Sequence, residues 1–356
     1  MNRRDFAKIS SLAALGLALP SGFNARDMSK KKIKIGMIGT THSHASEKIK
    51  TILGLCEIYD LVGVAEVDSI KQKAAAASAD YNGVKWVTKK ELLSFKSLDA
   101  VIIESSMDYV LNDAMDCAKA GRHIHIDNPP GRSFPLFEDL LIEAESRGLA
   151  FQLGYFTRYN RAVQTAKKII SEGVIGEIFE IDGTFSKKIP DKRRNDIAKY
   201  YGGSMLFLGC YLIELVVSIL GEPDQITTYR KKTFSDLDNL YDNELTVLEY
   251  KHATASLRSS VLEIDGEVRR NLTFVGTEGT VEINPFEPGK VFLTLNEPKK
   301  NYLKGKNQIQ LPEQRDRYSE QLIDFAGMIR KEKQLYYPVV KELEIHKALL
   351  TAANYY

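Results

Sequence analysis

The sequence is poor in cysteine, in net charge and in long apolar runs, and its most telling turn has no glycine after Gly39. The three cysteines (Cys56, Cys117, Cys210) stand isolated, each in an apolar context. An odd count without paired spacing argues against a disulfide framework and for buried thiols. The formal charge is only +2, and Arg3, Arg4 and Lys8 against Asp5 account for it. The balanced remainder argues against nucleic acid as a partner. The apolar stretch from Ile9 to Pro20 is too short to span a bilayer, which takes roughly 20 residues, so no stable membrane anchor is expected.

What is present begins with a targeting segment. Asn2-Arg3-Arg4-Asp5-Phe6-Ala7-Lys8 followed by the apolar stretch looks like a twin-arginine export signal occupying residues 1–25. Cleavage is expected near Ala25, with a periplasmic destination. Twin-arginine export carries folded proteins, which suits a cofactor loaded before transport.

The chain proper opens on an apolar, β-branched run from Lys32 to Ile38 that ends in Gly39-Thr40-Thr41-His42-Ser43-His44, and a helix-like segment follows from Glu47. That order is strand, tight turn and helix of a parallel α/β unit. Such a turn, with a helix N-terminus behind it, suits a pyrophosphate, although a dinucleotide fingerprint has glycines at fixed offsets that are missing here. Glu66 ends a second buried strand at the position where a dinucleotide site sets a carboxylate on the ribose hydroxyls. Asp68 serves equally well as a second candidate or as the N-cap of the next helix. Strands and helices alternate up to Leu153, predicting a doubly wound parallel sheet over residues 31–153.

At Gly154 the character changes. A helix carries Val163, Ala166, Ile169 and Ile170, and Ile178 to Phe185 then alternates, with Glu180, Asp182 and Thr184 on one side. Further strand-like runs follow at 225–233, 244–250, 254–262, 268–275, 280–283 and 291–295, separated by glycine and proline turns. They predict a large, mostly antiparallel sheet with one polar and one apolar face in a second, α+β domain at 154–356. The helix from Leu206 to Leu220 is apolar on nearly all sides and therefore buried, with Phe207, Tyr211 and Glu214 three and four apart on one face. Lys187-Lys188 with Lys192-Arg193-Arg194 read as a solvated loop, or as a clamp on substrate.

These pieces resemble the glucose–fructose oxidoreductase / inositol dehydrogenase / MocA family. The likeness rests on Lys34–Ala45, Asp99-Ala100-Val101-Ile102-Ile103, and Ala120-Gly121-Arg122-His123 running to Asp127-Asn128-Pro129. It continues in Gly154-Tyr155 with Arg158-Tyr159-Asn160, Gly173 to Ile178, Gly202-Gly203 and Gly276 to Thr280. It implies a Rossmann domain holding NAD (or NADP) and a sheet domain through whose open face copies associate as a homo-oligomer. It also implies a sugar, polyol or glycoside as substrate. By the same resemblance the nucleotide falls on Gly36, Gly39, Thr40, Thr41, His42, Glu66, Ser105, Ser106, Asp127 and Asn128, and the substrate on Tyr155, Arg158 and Tyr211. Glu66 favours NAD, because a carboxylate repels a 2′-phosphate.

The departures bear on mechanism. Members of that family carry a lysine where this chain has Asn128, and Asp, His and Asp where it has Phe207, Tyr211 and Glu214. Oxidising a secondary alcohol requires a group that takes the hydroxyl proton. Asn128 orients but cannot exchange a proton, which leaves Tyr211 or Glu214. The expected reaction is oxidation of a ring hydroxyl to a ketone. Two alternatives stand beside it: glycoside cleavage through transient oxidation and elimination, and a non-catalytic sugar-binding or partner protein. His42/His44 and His123/His125 form His-x-His pairs of the kind that ligate metal in barrel hydrolases. The chain is not an eight-fold repeat of strand and helix, so no metal is expected.

Overall fold

In the computed structural model of the chain, residues 31–356 are described. The expected export segment and the cleavage point expected near Ala25 lie outside them. The first sheet is built from β1 (Ile33–Ile38), β2 (Tyr59–Ala65), β3 (Ala100–Ile103), β4 (His123–Ile126) and β5 (Phe151–Leu153). All are parallel, in the order β2-β1-β3-β4-β5. Strands β1, β3 and β4 are short, rich in β-branched residues and almost wholly buried, as strands covered on both faces must be. The covering helices are α1 (Ala45–Gly54), α2 (Ser69–Ala76), α3 (Lys89–Ser94), α4 (Val110–Lys119) and α5 (Phe134–Ser146). The strand order reverses between β1 and β3, and a crevice for a ligand opens outside the carboxyl ends of strands at such a point.

The remaining elements are α6 (Arg161–Ser171), β6 (Ile178–Thr184), α7 (Asp191–Ala198), α8 (Cys210–Leu220), the strands β7 (Gln225–Lys231), β8 (Asn243–Glu249), β9 (Thr254–Ser260), β10 (Asn271–Gly276), β11 (Gly279–Ile283), β12 (Val291–Leu295) and β13 (Gly305–Ile309), and the helices α9 (Ser319–Ile329) and α10 (Val339–Ala352). The eight strands run in the order β13-β12-β11-β10-β6-β9-β8-β7, and every pairing but β6–β9 is antiparallel. Inward residues such as Ile181, Leu257, Leu272 and Phe274 join α8 in one large core. The opposite face carries Thr227, Val247, Ser256, Asp182, Thr273, Glu282 and Phe292 in register across seven strands.

The structure differs from the sequence reading in three places. Strand β13 is too polar to be seen as a strand from its own residues, and forms because β12 offers it an edge. Gly266–Arg269 is a short 3₁₀ turn, so the strand expected from Val268 begins only at Asn271. Helix α9, placed by sequence in the second domain, packs Leu322, Phe325, Ala326 and Met328 against Ile35, Met37, Ala100 and Ile102 of the first sheet. That sheet presents an apolar face which its own helices do not fill.

Candidate active site

A cavity of about 390 Å³ opens at the carboxyl ends of β1, β3 and β4. Its floor is Thr40, Thr41 and His42 of the β1–α1 turn, Ser105, Ser106 and Met107 after β3, and Asp127 and Pro129 after β4. Its walls are Lys71, Ala74, Ala75 and Ser78 on one side, and Lys192, Arg193, Tyr200 and Phe207 on the other. Gly39 makes the turn possible: its φ is +85°, and a Cβ there would collide with the Ser105 backbone.

The N–H groups of this turn are largely used within the protein. Glu66 Oε2 accepts from both the N–H and the hydroxyl of Thr40, each at 2.8 Å. Thr41 and His42 donate their N–H groups to the Glu104 carbonyl at 3.1 and 3.0 Å. Glu66 therefore braces the turn, while Asp68 Oδ1 caps α2 by accepting from Ile70 and Lys71. The Thr41 hydroxyl is left buried without a hydrogen-bond partner among the described residues, and the N-terminus of α1 has no side-chain cap. The tight turn, the orphaned hydroxyl and the open helix end are features that a phosphate would satisfy.

Beneath the floor lies a buried polar cluster that sequence reasoning did not assemble. Asp127 Oδ2 is 3.0 Å from His44 Nδ1, 3.7 Å from His42 Nδ1 and 3.2 Å from Lys48 Nζ. Glu104 Oε2 is 3.2 Å from His42 Nδ1. Lys48 Nζ also reaches His125 Nε2 at 2.5 Å, and His125 Nδ1 meets Gln152 Oε1 at 2.8 Å. Burial works against charge on Asp127, but Lys48, His44 and His42 outweigh it and hold the carboxyl well below its usual range. Burial, seconded by Asp127, raises the Glu104 carboxyl. Burial opposes charge on His42 as well, yet Asp127 and Glu104 prevail and its pKa lies above the ordinary imidazole value. His44 is lowered by burial to about 4, and His125 to about 3 by burial and then Lys48. The sequence signal for this cluster was the pair of His-x-His motifs, joined to Glu104 and Lys48 only by the fold.

The proposed catalytic and substrate residues sit deeper. Helix α8 is preceded by a π-helical turn, Met205–Gly209. Its wider pitch breaks the common face expected for Phe207, Tyr211 and Glu214. Phe207 lines the cavity. Glu214 is fully buried with its Oε1 on Arg158 Nε at 3.0 Å, and Arg158 makes a fork to Glu342 at 2.6 and 2.8 Å. Arg158, expected at the substrate, is thus a buried tie between the segment after β5, α8 and α10, with Tyr155 stacked beneath its guanidinium. The Tyr155 hydroxyl is buried and has no hydrogen-bond partner among the described residues. Tyr211 is packed between Phe156 and Phe185, with ring centroids 4.7 and 4.8 Å away. Burial pushes its phenol well above 10, with the Asn128 amide pulling the other way. The Asn128 amide satisfies its neighbours when its nitrogen donates to Asp127 Oδ1 (3.1 Å) and the Gly154 carbonyl (2.7 Å).

Of the residues expected to bind nucleotide, Thr40, Thr41, His42, Ser105, Ser106 and Asp127 meet at the cavity. Gly36 lies inside β1 against Leu92, and Asn128 is buried behind the floor. The basic stretch, read as a solvated loop or a clamp on substrate, divides: Lys192 and Arg193 of α7 face the cavity, whereas Arg194 is buried on Asp238 and Asp242.

Comparison with known proteins adds the following. Residues 33–155 match the family model "Oxidoreductase family, NAD-binding Rossmann fold", and residues 163–282 match the GFO/IDH/MocA C-terminal domain. The trans-1,2-dihydrobenzene-1,2-diol dehydrogenase of Bos taurus is 23% identical over 169 residues, 47% of this chain and 49% of that protein, so the match spans about half the length of that relative. The D-xylose 1-dehydrogenase (NADP(+)) 2 of Haloferax volcanii is 26% identical over 230 residues, 62% of this chain and 68% of that one. The WlbA dehydrogenase from Bordetella pertussis, solved in complex with NADH and UDP-GlcNAcA, superposes with a TM-score of 0.76 at 17% identity. The superposition covers 91% of this chain and 97% of that one. At that identity the likeness is one of fold.

Proposed function

This chain belongs to the Gfo/Idh/MocA oxidoreductase family and carries its NAD(P)-binding Rossmann domain, and on that premise we propose that it oxidises a hydroxyl of a sugar, polyol or glycoside to a ketone. The observation that carries the reading is the cavity itself. It lies at the point where strand order reverses, with the strand-end turns of the Rossmann sheet on its floor and α7 and Phe207 across from them.

The residues present fit a dinucleotide. Thr40, Thr41, Ser105 and Ser106 would hold it along the strand ends, the uncapped α1 terminus and the Thr41 hydroxyl would meet its phosphates, and Lys71 adds positive charge at that edge. When bound, NAD(P) supplies the hydride acceptor. Arg193 has no hydrogen-bond or ion-pair partner among the described residues and is placed to orient the substrate's polar groups. Phe207 excludes water beside it. Tyr211, kept protonated by burial, suits a hydrogen-bond donor to the reacting oxygen and a proton donor in the reverse, ketone-reducing direction.

The N-terminal segment directs this activity to the periplasm in our reading, where retained cofactor is an advantage. The in-register open face of the eight-stranded sheet is the surface for self-association. Denaturing the purified protein and identifying the released nucleotide, then following turnover on a panel of glycosides and free sugars, tests the proposal. Absence of released nucleotide, of NAD(P) binding by calorimetry and of turnover together would overturn it.

A further inference from the structure

His42, His44, Glu104 and Asp127 come from the β1–α1 turn and from the ends of β3 and β4, three adjacent strands. Their nearest ring-nitrogen and carboxylate-oxygen separations are 3.0, 3.2 and 3.7 Å. Ligand atoms that share one ion at bonds of about 2.1 Å stand roughly 3.4 Å apart in a tetrahedral arrangement.

Ring orientation supports the same conclusion. His42 Nε2 lies 3.1 Å from the Asn128 carbonyl oxygen. A carbonyl only accepts, so the proton of a neutral ring sits on Nε2, and the lone pair on Nδ1, which the His44 N–H approaches at 3.3 Å, faces Glu104 and Asp127. A lone pair facing two carboxylates is repulsive unless something positive lies between them. A backbone carbonyl on the far nitrogen is also the usual outer partner of a metal-bound histidine.

The charge count leaves room for a cation. The Glu104 carboxylate is 0% exposed, and neither of its oxygens accepts a hydrogen bond among the described residues. Two buried carboxylates face one ammonium, Lys48, at 3.2 Å from Asp127 and 4.0 Å from Glu104. With His42 neutral, one negative charge remains on the Glu104–His42 side, and a buried charge without a counter-charge is strongly disfavoured. His125 does not compete as a ligand, because its Nδ1–H goes to Gln152 and its Nε2 accepts a hydrogen bond from the Lys48 ammonium.

We propose that His42 Nδ1, His44 Nδ1 and Asp127 Oδ2 bind one divalent first-row transition-metal ion beside the Glu104 carboxylate, with its open position toward the cavity that His42 and Asp127 line. An ion there lowers the pKa of a hydroxyl bound to it, the task that Asn128 cannot perform. That role rests on the oxidoreductase reading; the binding itself does not.

The test uses full-length protein without a polyhistidine tag. Elemental analysis after purification without chelator should find about one transition-metal equivalent per chain. After chelation and dialysis, Zn²⁺ or Mn²⁺ added back should bind with the same stoichiometry by calorimetry and raise the melting temperature. His42→Ala and His44→Ala should each lower occupancy below about a tenth of an equivalent. Should either fail to fold, the near-isosteric Asp127→Asn serves in its place. Folded wild-type protein that retains no metal and takes up neither ion overturns the site and assigns the missing positive charge to a proton on His42. Equal uptake by wild type and variants overturns it too. NAD(P) binding is measured on the same metal-free samples, so loss of the metal site and loss of the oxidoreductase reading are separate results.

Discussion

Glu66 and Thr40 are joined twice, the carboxylate accepting the backbone N–H and the hydroxyl of the threonine at 2.8 Å each. With the Asp68 N–H on its other oxygen at 3.1 Å, Glu66 is a fixed negative charge at the end of β2. A 2′-phosphate brought there is repelled. Glu66→Gln should leave NAD affinity within a few-fold and improve NADP affinity about tenfold, ~1.4 kcal/mol. Calorimetric titration with both nucleotides checks this, and an unchanged preference would remove Glu66 from the ribose site.

Tyr211→Phe removes one hydroxyl from a ring already held by Phe156 and Phe185. If Tyr211 donates the proton in the reducing direction, turnover of the ketone should fall by about 100-fold or more while the melting temperature moves by only a few degrees. Wild-type turnover in the variant would place proton transfer elsewhere.

Arg158 is the single guanidinium between two buried carboxylates, Glu214 and Glu342. Arg158→Met leaves both without a hydrogen-bonded partner and should cost about 3–5 kcal/mol of stability. Glu214→Gln keeps a hydrogen-bond acceptor and should cost about 1–2 kcal/mol, with turnover per folded molecule unchanged. Chemical denaturation measures the first effect and active-site titration the second. A large loss of turnover in a fully stable Glu214→Gln protein would restore that residue to a catalytic role.

His346 is packed against Phe137 at 4.4 Å between ring centroids, and neither ring nitrogen has a hydrogen-bond partner among the described residues. Burial lowers its pKa from 6.5 to about 3. Above pH 6.5 the folded and unfolded chains carry it neutral alike. Below that, the unfolded chain binds a proton that the folded chain refuses, so stability falls with pH by up to about 1.4 kcal/mol per unit until about pH 3. His346→Leu should flatten this part of the acid limb, read from denaturant midpoints between pH 7 and 4. An unchanged slope would mean that the ring is solvated.

Replacing Arg3 and Arg4 with lysine should hold the protein in the cytoplasm, because the paired arginines are the recognised element. Fractionation of expressing cells gives the answer, and undiminished extracytoplasmic yield would refute twin-arginine export.

The alternation of short β-branched runs with helices up to Leu153 was enough to determine a parallel doubly wound sheet, because strands buried on both faces must be apolar throughout. The alternation at Glu180, Asp182 and Thr184 likewise determined a half-exposed sheet in the second half. Glycine at position 39 and a carboxylate at position 66 were legible as parts of a turn and its neighbouring strand end. Their partners were not: whether Glu66 meets Thr40 or a ligand depends on a register between strands that no local pattern encodes.

Long-range packing decided the rest. The π-helical turn before α8 separates Phe207 from Glu214, although their spacing suggests one face. Arg158, Glu214 and Glu342 are far apart in sequence and meet only because the segment after β5, α8 and α10 cross. Glu104 and Lys48 read as an ordinary strand end and an ordinary helix lysine. Closure of the sheet puts both beside His42, His44 and Asp127, where the low dielectric turns five unremarkable side chains into one coupled group.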